Sequence, residues 1–190
     1  MANSEYDQLS SVYDVWSAAD PVAEPTISFY KEVVHNVPGP ILELGIGTGR
    51  IAIELMKIGK NIIGIDISQK MLDVCKKKAT KMNLLNNLTL SKQDMRDFIL
   101  NDKVKIAILP FRTLGHLLTF HDKRDMFHSV ANSLESGGLF IFDHYVFSLE
   151  WAQKYHGVPR LMSIMKDAEN DLEIYIYDIY LSVMSGMLFA

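Results

Sequence analysis

The chain has 190 residues, of which 48% are hydrophobic and 22% charged, with a formal net charge of −4. That length carries one domain with a full core. The acidic balance gives no general electrostatic grip on nucleic acid, and no apolar run reaches the roughly 18 residues of a membrane span.

One cysteine, Cys75, excludes an internal disulfide and fits a reducing compartment, so a cytoplasmic protein is expected. The start, Met1-Ala-Asn-Ser-Glu-Tyr-Asp, has no basic region followed by an apolar stretch, so no secretory signal is expected. Residues 1–37 precede the first core strand and carry Tyr6, Tyr13 and Trp16. Pro21 and Pro25 then interrupt the pattern. From Thr26, a candidate cap, Ile27, Tyr30, Val33 and Val34 share one helical face. Pro38-Gly39-Pro40 ends that helix.

Ile41 to Leu44 is a short apolar run, as in a buried strand. It leads straight into Gly45, Gly47 and Gly49, and then into the helical pattern Ile51-Ala52-Ile53-Glu54-Leu55-Met56. Strand, glycine turn and helix bring bare backbone close to a ligand at a helix N-terminus. The dinucleotide fingerprint needs a third glycine at position 50, where this chain has Arg50. Glu43 beside the turn would repel a pyrophosphate and suits a ligand with positive charge, such as an ammonium or a sulfonium. Gly59 is placed to end the helix.

Asn61 to Asp66 is the second predicted strand. Asp66 follows the glycines by about 20 residues, where a carboxylate can accept both hydroxyls of an adenosine ribose. Ser68 is placed to cap a helix from Gln69 to Met82, with Met71, Leu72, Cys75, Ala79 and Met82 toward the core. Cys75 there reads as packing, and Lys76-Lys77-Lys78 as a solvated face. Leu88 to Leu90 is a third strand. Met95 to Leu100 is expected as a short helix, which Asp94 would cap. Val104 to Pro110 is a nearly all-apolar fourth strand, as a central parallel strand should be. Pro110-Phe111-Arg112-Thr113-Leu114-Gly115-His116-Leu117 follows it. A helix over 121–134 carries Met126, Phe127, Val130, Ala131 and Leu134 on one side, with His121 and His128 at the surface. Glu135 to Asp143 is a turn and fifth strand, which places Asp143, His144 and Tyr145 at its carboxyl end. Trp151, Tyr155 and His156 sit in a helix or loop. Asp171 to Met184 is a long β-prone run, apolar or aromatic on both faces, which fits a strand covered on both sides or a subunit contact.

Glu43-x-Gly45-x-Gly47-x-Gly49 resembles motif I of the class I S-adenosylmethionine-dependent methyltransferases. Asp66-Ile67-Ser68-Gln69-Lys70-Met71-Leu72 resembles the family's D-x-S-x-x-M-L. Phe111 to Leu117 resembles the Phe-Asn/Arg-Ser-x-x-His-Leu run of its small-molecule members, and Glu135 to Asp143 its L-x-P-G-G-x-x-x-x-D. The resemblance covers roughly residues 3–150. It implies an α/β, Rossmann-like, doubly wound and mostly parallel sheet with helices on both faces. An N-terminal helical lid would span 1–37, a cofactor-binding core 38–146, and a C-terminal β extension 147–190, all within a single domain. The extension would replace or lack the usual final antiparallel strand pair.

By the same resemblance the cofactor is S-adenosyl-L-methionine and the product S-adenosyl-L-homocysteine. Glu43 would hold the methionine ammonium, with close backbone approach at Gly45, Gly47 and Gly49. Asp66 would hold the ribose, Ile67 the adenine face, and Asp94 and Met95 the adenine edge. Tyr6, Tyr13 and Trp16 are lid candidates, or else anchors of the segment. His116 is the candidate general base, or else a helix residue bonded to nearby backbone. Tyr13 and Tyr145 are weaker candidates for the acceptor site. No metal is expected. The expected reaction is methyl transfer to nitrogen or oxygen of a small-molecule acceptor, with no nucleic acid or membrane partner and with a homodimer through the C-terminal β segment. Two alternatives are a cofactor-binding module without turnover (a sensor or partner subunit) and an NAD-linked oxidoreductase. Arg50 and Glu43 disfavour the second.

Overall fold

The computed structural model describes residues 7, 10, 13–18, 20, 22–144, 148–167 and 172–179. The chain divides into two compact units, one of Met1–Asp14 with Pro21–Tyr145, the other of Val15–Asp20 with Val146–Ala190.

A short helix, α1, covers Tyr13–Ala18, and α2 covers Ala23–Val34. Helix α2 begins earlier than the prolines suggest. Pro25 falls in its first turn, where a backbone N–H has no helical partner to lose. Thr26 is therefore inside the helix, and no side chain caps it. Ile27, Tyr30 and Val34 are buried as their spacing predicts.

The first unit is built on five parallel strands: β1 (Ile41–Leu44), β2 (Ile62–Asp66), β3 (Leu88–Lys92), β4 (Val104–Leu109) and β5 (Leu134–Phe142). Their order is β3-β2-β1-β4-β5. The connections are α3 (Arg50–Lys57) after β1, α4 (Gln69–Lys81) after β2, and α5 (Phe120–Ser133) before β5. Alternate residues of the central strands feed two cores. Ile41, Ile62, Ile106 and Ile108 pack with α2, α3 and α4 residues such as Tyr30, Leu55 and Leu72. Leu42, Leu44, Ala107 and Leu109 pack with Met126 and Val130 of α5. The sheet is thus covered on both faces, and this Rossmann-like layout is the expected one. The chain order reverses at β1, whose neighbours are β2 and β4, so the loops leaving β1 and β4 face each other.

Gly59 has φ +82° and donates its N–H to the Met56 carbonyl, closing α3 as expected. Ser68 caps α4 by accepting the Met71 N–H at 3.2 Å. Met82, expected in the core, lies just past the end of α4 and is exposed. Residues 95–100 do not form the expected helix. Asp94 accepts the Arg96 N–H, as an N-cap would, but the Gln93 side chain accepts the Ile99 N–H, a donor that a helix would give to the Met95 carbonyl. Phe127 and Ala131 of α5, expected to face inward, are also exposed.

In the second unit, α6 covers Leu149–Tyr155. Beyond it β6 (Pro159–Asp167) pairs antiparallel with β7 (Leu172–Ile179), from Pro159 opposite Ile179 to Asp167 opposite Leu172. The β-prone run is a strand as predicted over Leu172–Ile179; residues 180–184 lie outside the described part. Its Glu173, Tyr175 and Tyr177 share one face that is exposed in the single chain. Strand β6 has no counterpart in the sequence reading.

Candidate functional site

The glycine turn joins β1 to α3. Gly45 has φ +63°, and a Cβ there would stand 2.7 Å from Cγ2 of Thr113, in the turn after β4. Only glycine satisfies both the left-handed backbone and this close approach. Gly49, at φ +80°, is the residue before α3, and a Cβ on it would meet the Cys75 sulfur at 2.5 Å. The expected packing role of Cys75 is therefore specific: its thiol fills the space beneath the third glycine. Burial pushes that thiol up to about 12, with the carboxylate of Glu43 adding to the effect.

Glu43 occupies a strand position where its neighbours are all apolar. It is 2% exposed, and its Oε2 has no hydrogen-bond partner among the described residues. A buried acceptor in that state costs about 1–3 kcal/mol, and more if charged. Burial, and then the nearby charge of Asp66, raise its pKa well above the ordinary value. Glu43 borders a cavity of about 30 Å³ with Tyr13, Gly45, Gly47, Arg50, Phe111 and Thr113. The Arg50 guanidinium lies 4.2 Å from the centre of the Phe111 ring.

Asp66 ends β2 and is handled differently. Its two oxygens accept the N–H groups of Gly47 and Ser68, each at 2.8 Å. Burial raises its pKa, while the amides of Ser68, Gly47 and Ile67 and the charge of His116 act against that shift. Asp66 thus braces the glycine turn from the neighbouring strand. A carboxylate has about four acceptor positions, so these amides leave it acceptor capacity for a ligand. Ile67 is 52% exposed, an apolar side chain at the strand end with an open face.

Asp94 forms a close ion pair with Arg96, at 2.6 Å, and Arg96 also reaches Asp122 at 2.8 Å. Hydrogen bonding from Arg96 holds the Asp94 carboxyl below its usual range. Met95 packs against the core on the α5 side. His116 is the last residue of a 3-10 turn, Thr113–His116, and is exposed on the side of the sheet end that carries Asp66. Tyr13 lines the cavity. Tyr6 and Tyr145 lie outside the described residues, as does the side chain of Trp16.

Three residues outside the expected set shape this region. Asp7 bonds the Ser68 hydroxyl. Asp14 accepts from the Thr48 hydroxyl at 2.5 Å and pairs with Lys78 at 2.9 Å. Asp7 and Asp14 are thereby tied to the turns after β2 and after β1, respectively. Asp143, at the end of β5, accepts the N–H groups of Phe111 and Arg112 at 2.8 and 2.7 Å, and Tyr30 donates its hydroxyl to it at 3.2 Å. Phe111 and Arg112 are left-handed, at φ +56° and +61°. Such backbone costs about 1–2 kcal/mol per residue, which charge-assisted hydrogen bonds of about 1.5–3 kcal/mol each offset. A sequence signal existed for Asp143, since it closes a quoted motif, but its target is backbone 31 and 32 residues away.

A family model described as a methyltransferase domain matches residues 41–138, more than half of the chain. The chain belongs to this methyltransferase-domain family. YqeM of Bacillus subtilis (strain 168), whose name assigns it only to the methyltransferases, is 30% identical over 141 residues, covering 73% of this chain and 54% of YqeM. Among solved structures, the CcbJ methyltransferase from Streptomyces caelestis is similar with a TM-score of 0.66 and 28% identity, over 74% of this chain and 57% of CcbJ. The glycopeptide N-methyltransferase MtfA, solved with S-adenosyl-L-methionine, shares the fold at 21% identity and a TM-score of 0.60, over 84% of this chain and 67% of MtfA. The chain spans little more than half the length of YqeM and CcbJ. Among the described residues no helix is long and apolar enough to cross a membrane.

Proposed function

We propose that this chain binds S-adenosyl-L-methionine and transfers its methyl group to nitrogen or oxygen of a small-molecule acceptor. One observation carries the reading: Glu43, buried and with one oxygen unpartnered, at the glycine turn of a methyltransferase-family fold. The residues present fit the cofactor. A buried orphan acceptor matches an ammonium donor, Asp66 retains acceptor capacity for a ribose hydroxyl, and Ile67 offers an open apolar face to a base.

When bound, the cofactor supplies an electrophilic sulfonium methyl, so the protein need only align an acceptor and take up a proton. In this reading Glu43 orients the amino-acid end and Asp66 the ribose, while Asp94 and Met95 border the adenine. His116 receives the acceptor's proton, an imidazole being the usual side chain for that work near neutral pH. Tyr13 narrows the entrance, in keeping with a lid over 1–37.

Calorimetric titration with S-adenosyl-L-methionine and S-adenosyl-L-homocysteine tests the reading. Micromolar binding of both supports it, and binding of neither overturns it. His116→Ala should leave binding intact and lower turnover; full activity would remove His116 as the base.

A second reading, a cofactor-binding module that works as a partner subunit, has an observation of its own. The outermost strand β5 and α5 expose Leu139, Phe142 and Phe127, and Phe127, Phe140 and Phe142 contact one another at 5.4–6.0 Å between ring centres. Under either reading a homodimer remains a proposal. Mass in solution, together with transfer of a labelled methyl group to any acceptor, separates the two.

A further inference from the structure

The loop that leaves β3 is closed on itself and tied to α5. The Gln93 amide bonds both backbone groups of Ile99: its oxygen accepts the N–H at 2.9 Å, and its nitrogen donates to the carbonyl at 3.2 Å. Ser129 of α5 donates its hydroxyl to the Arg96 carbonyl at 2.7 Å. The Arg96 guanidinium then bridges two carboxylates. Its Nη1 donates to Asp122, in the first turn of α5, at 2.8 Å. Its Nε lies between the two Asp94 oxygens, at 3.0 and 3.1 Å, and Nη2 donates to Oδ2 of Asp94 at 2.6 Å. Asp122 is fixed in turn, because it accepts the Thr119 hydroxyl at 2.6 Å. An arginine held at its carbonyl and at both ends of its planar fork keeps one geometry, and the fork imposes that geometry on Asp94.

Strand β3 lies beside β2, with Lys92 opposite Asp66, and the Gln93 N–H donates to the Asp66 carbonyl at 3.1 Å. A base on a ribose held at Asp66, laid on the open face of Ile67, therefore meets this loop. Gln93 is occupied with Ile99, which leaves Asp94 as the first side-chain acceptor after the strand. Arg96 brings three N–H donors to that carboxylate, its own backbone N–H at 2.9 Å included. A carboxylate has about four acceptor positions, so capacity remains for a further donor, and an exocyclic amine supplies one.

We propose that Arg96 is a positioning residue for base selection: anchored on Asp122, it fixes Asp94 so that the site prefers a purine carrying a 6-amino group over one without it. This rests on the cofactor reading above and deepens it, because base selection then depends on an arginine and a helix that lie outside the glycine turn and outside the turn after β2.

The experiment compares S-adenosyl-L-homocysteine with its 6-deamino analogue, in which hydrogen replaces the amino group of the base. Both are titrated into the wild-type chain and the Asp94→Ala, Arg96→Gln, Arg96→Lys and Asp122→Ala variants, with circular dichroism as the check of folding. The wild type is expected to prefer the amino-bearing ligand by about tenfold or more. Asp94→Ala abolishes the preference. Arg96→Gln lowers it several-fold by weakening only the amino-bearing ligand, while Arg96→Lys and Asp122→Ala each keep part of it. A wild type that binds neither ligand overturns the cofactor reading itself. A wild type that binds both equally overturns base selection by Asp94 and Arg96 while leaving the cofactor reading intact. A preference that survives or rises in Arg96→Gln overturns the Arg96 assignment alone, a rise meaning that Arg96 competes with the base for Asp94. Should Arg96→Gln fail to fold, Asp122→Ala takes its place, and an undiminished preference there has the same meaning.

Discussion

Glu43, next to last in β1, and Asp66, the last residue of β2, sit on neighbouring parallel strands, both are largely removed from water, and both have raised pKa values for which burial is the first cause. Their surroundings differ. Asp66 is held by the amides of Gly47 and Ser68, so it shapes the turn before any ligand arrives. Glu43 has an oxygen that meets no donor among the described residues. One carboxyl group is built into the fold and shares its remaining capacity, whereas the other is kept at a cost to the fold. A group retained at such a cost marks where a ligand, rather than the protein, completes the structure.

Removing each carboxylate sharpens that contrast. Asp66→Ala should show the largest effect, because it removes both a brace and a binding group. Affinity for S-adenosyl-L-methionine is expected to fall more than about tenfold, and the melting temperature of the ligand-free chain to fall as well, since two backbone donors lose their acceptor. Unchanged affinity by calorimetry would sink the ribose assignment. Glu43→Gln should split the two readouts. Affinity falls by about tenfold, while the ligand-free protein becomes more stable by about 1 kcal/mol, a rise of roughly 2–4 °C in melting temperature. A variant that loses stability and affinity together would mean that Glu43 belongs to the fold as Asp66 does.

The pH dependence carries the same distinction. A raised carboxyl pKa means that the folded chain keeps a proton that the unfolded chain releases. The stabilising contribution is therefore full below the ordinary value of 4.5 and is lost as pH rises toward the raised value of Glu43. Melting temperature should fall over that interval in the ligand-free wild type, and less steeply in Glu43→Gln. Binding of a cation at Glu43 favours the ionised form, so titrations in buffers of different ionisation enthalpy should register proton release. Equal slopes in the two proteins would place the titration elsewhere.

Smaller effects belong to the supports. Tyr30→Phe removes one hydrogen bond to Asp143 and should cost about 1 kcal/mol in chemical denaturation. Lys78→Gln breaks a partly exposed ion pair with Asp14 and should change stability by less than about 1 kcal/mol, while speeding cofactor release in stopped flow. A release rate untouched by Lys78→Gln would separate Asp14 from ligand exchange.

The legible part of the molecule was the part governed by local pattern. Strands β1, β2 and β4 are apolar runs, Gly45 to Gly49 mark a turn whose geometry excludes a Cβ, and Ser68 caps the helix that follows it. The placement of Glu43, Asp66 and Ile67 at the strand ends was legible for the same reason, since they lie beside those turns. What escaped depended on distance in the chain. Asp143 acts on amides that it meets only when β4 and β5 pair. Asp7 and Asp14 matter through Ser68, Thr48 and Lys78, which no spacing rule connects to them. The missing helix after Asp94 shows a different limit: the pattern was helical, but the Gln93 side chain takes the Ile99 N–H that a helix would give to the Met95 carbonyl. Strand β6 carries Pro159 at its start and no clean alternation, so it needed its partner β7 to be recognised.

The thiol beneath Gly49 gives the site a reporter of its own. Cys75 is the chain's single cysteine, fully buried and held in its unreactive neutral form. A thiol-directed label can reach it only when α4 lifts from the glycine turn. The rate of modification in native buffer therefore reports openings at this one position beneath the glycine turn with nothing engineered, and a ligand that secures the turn should slow it.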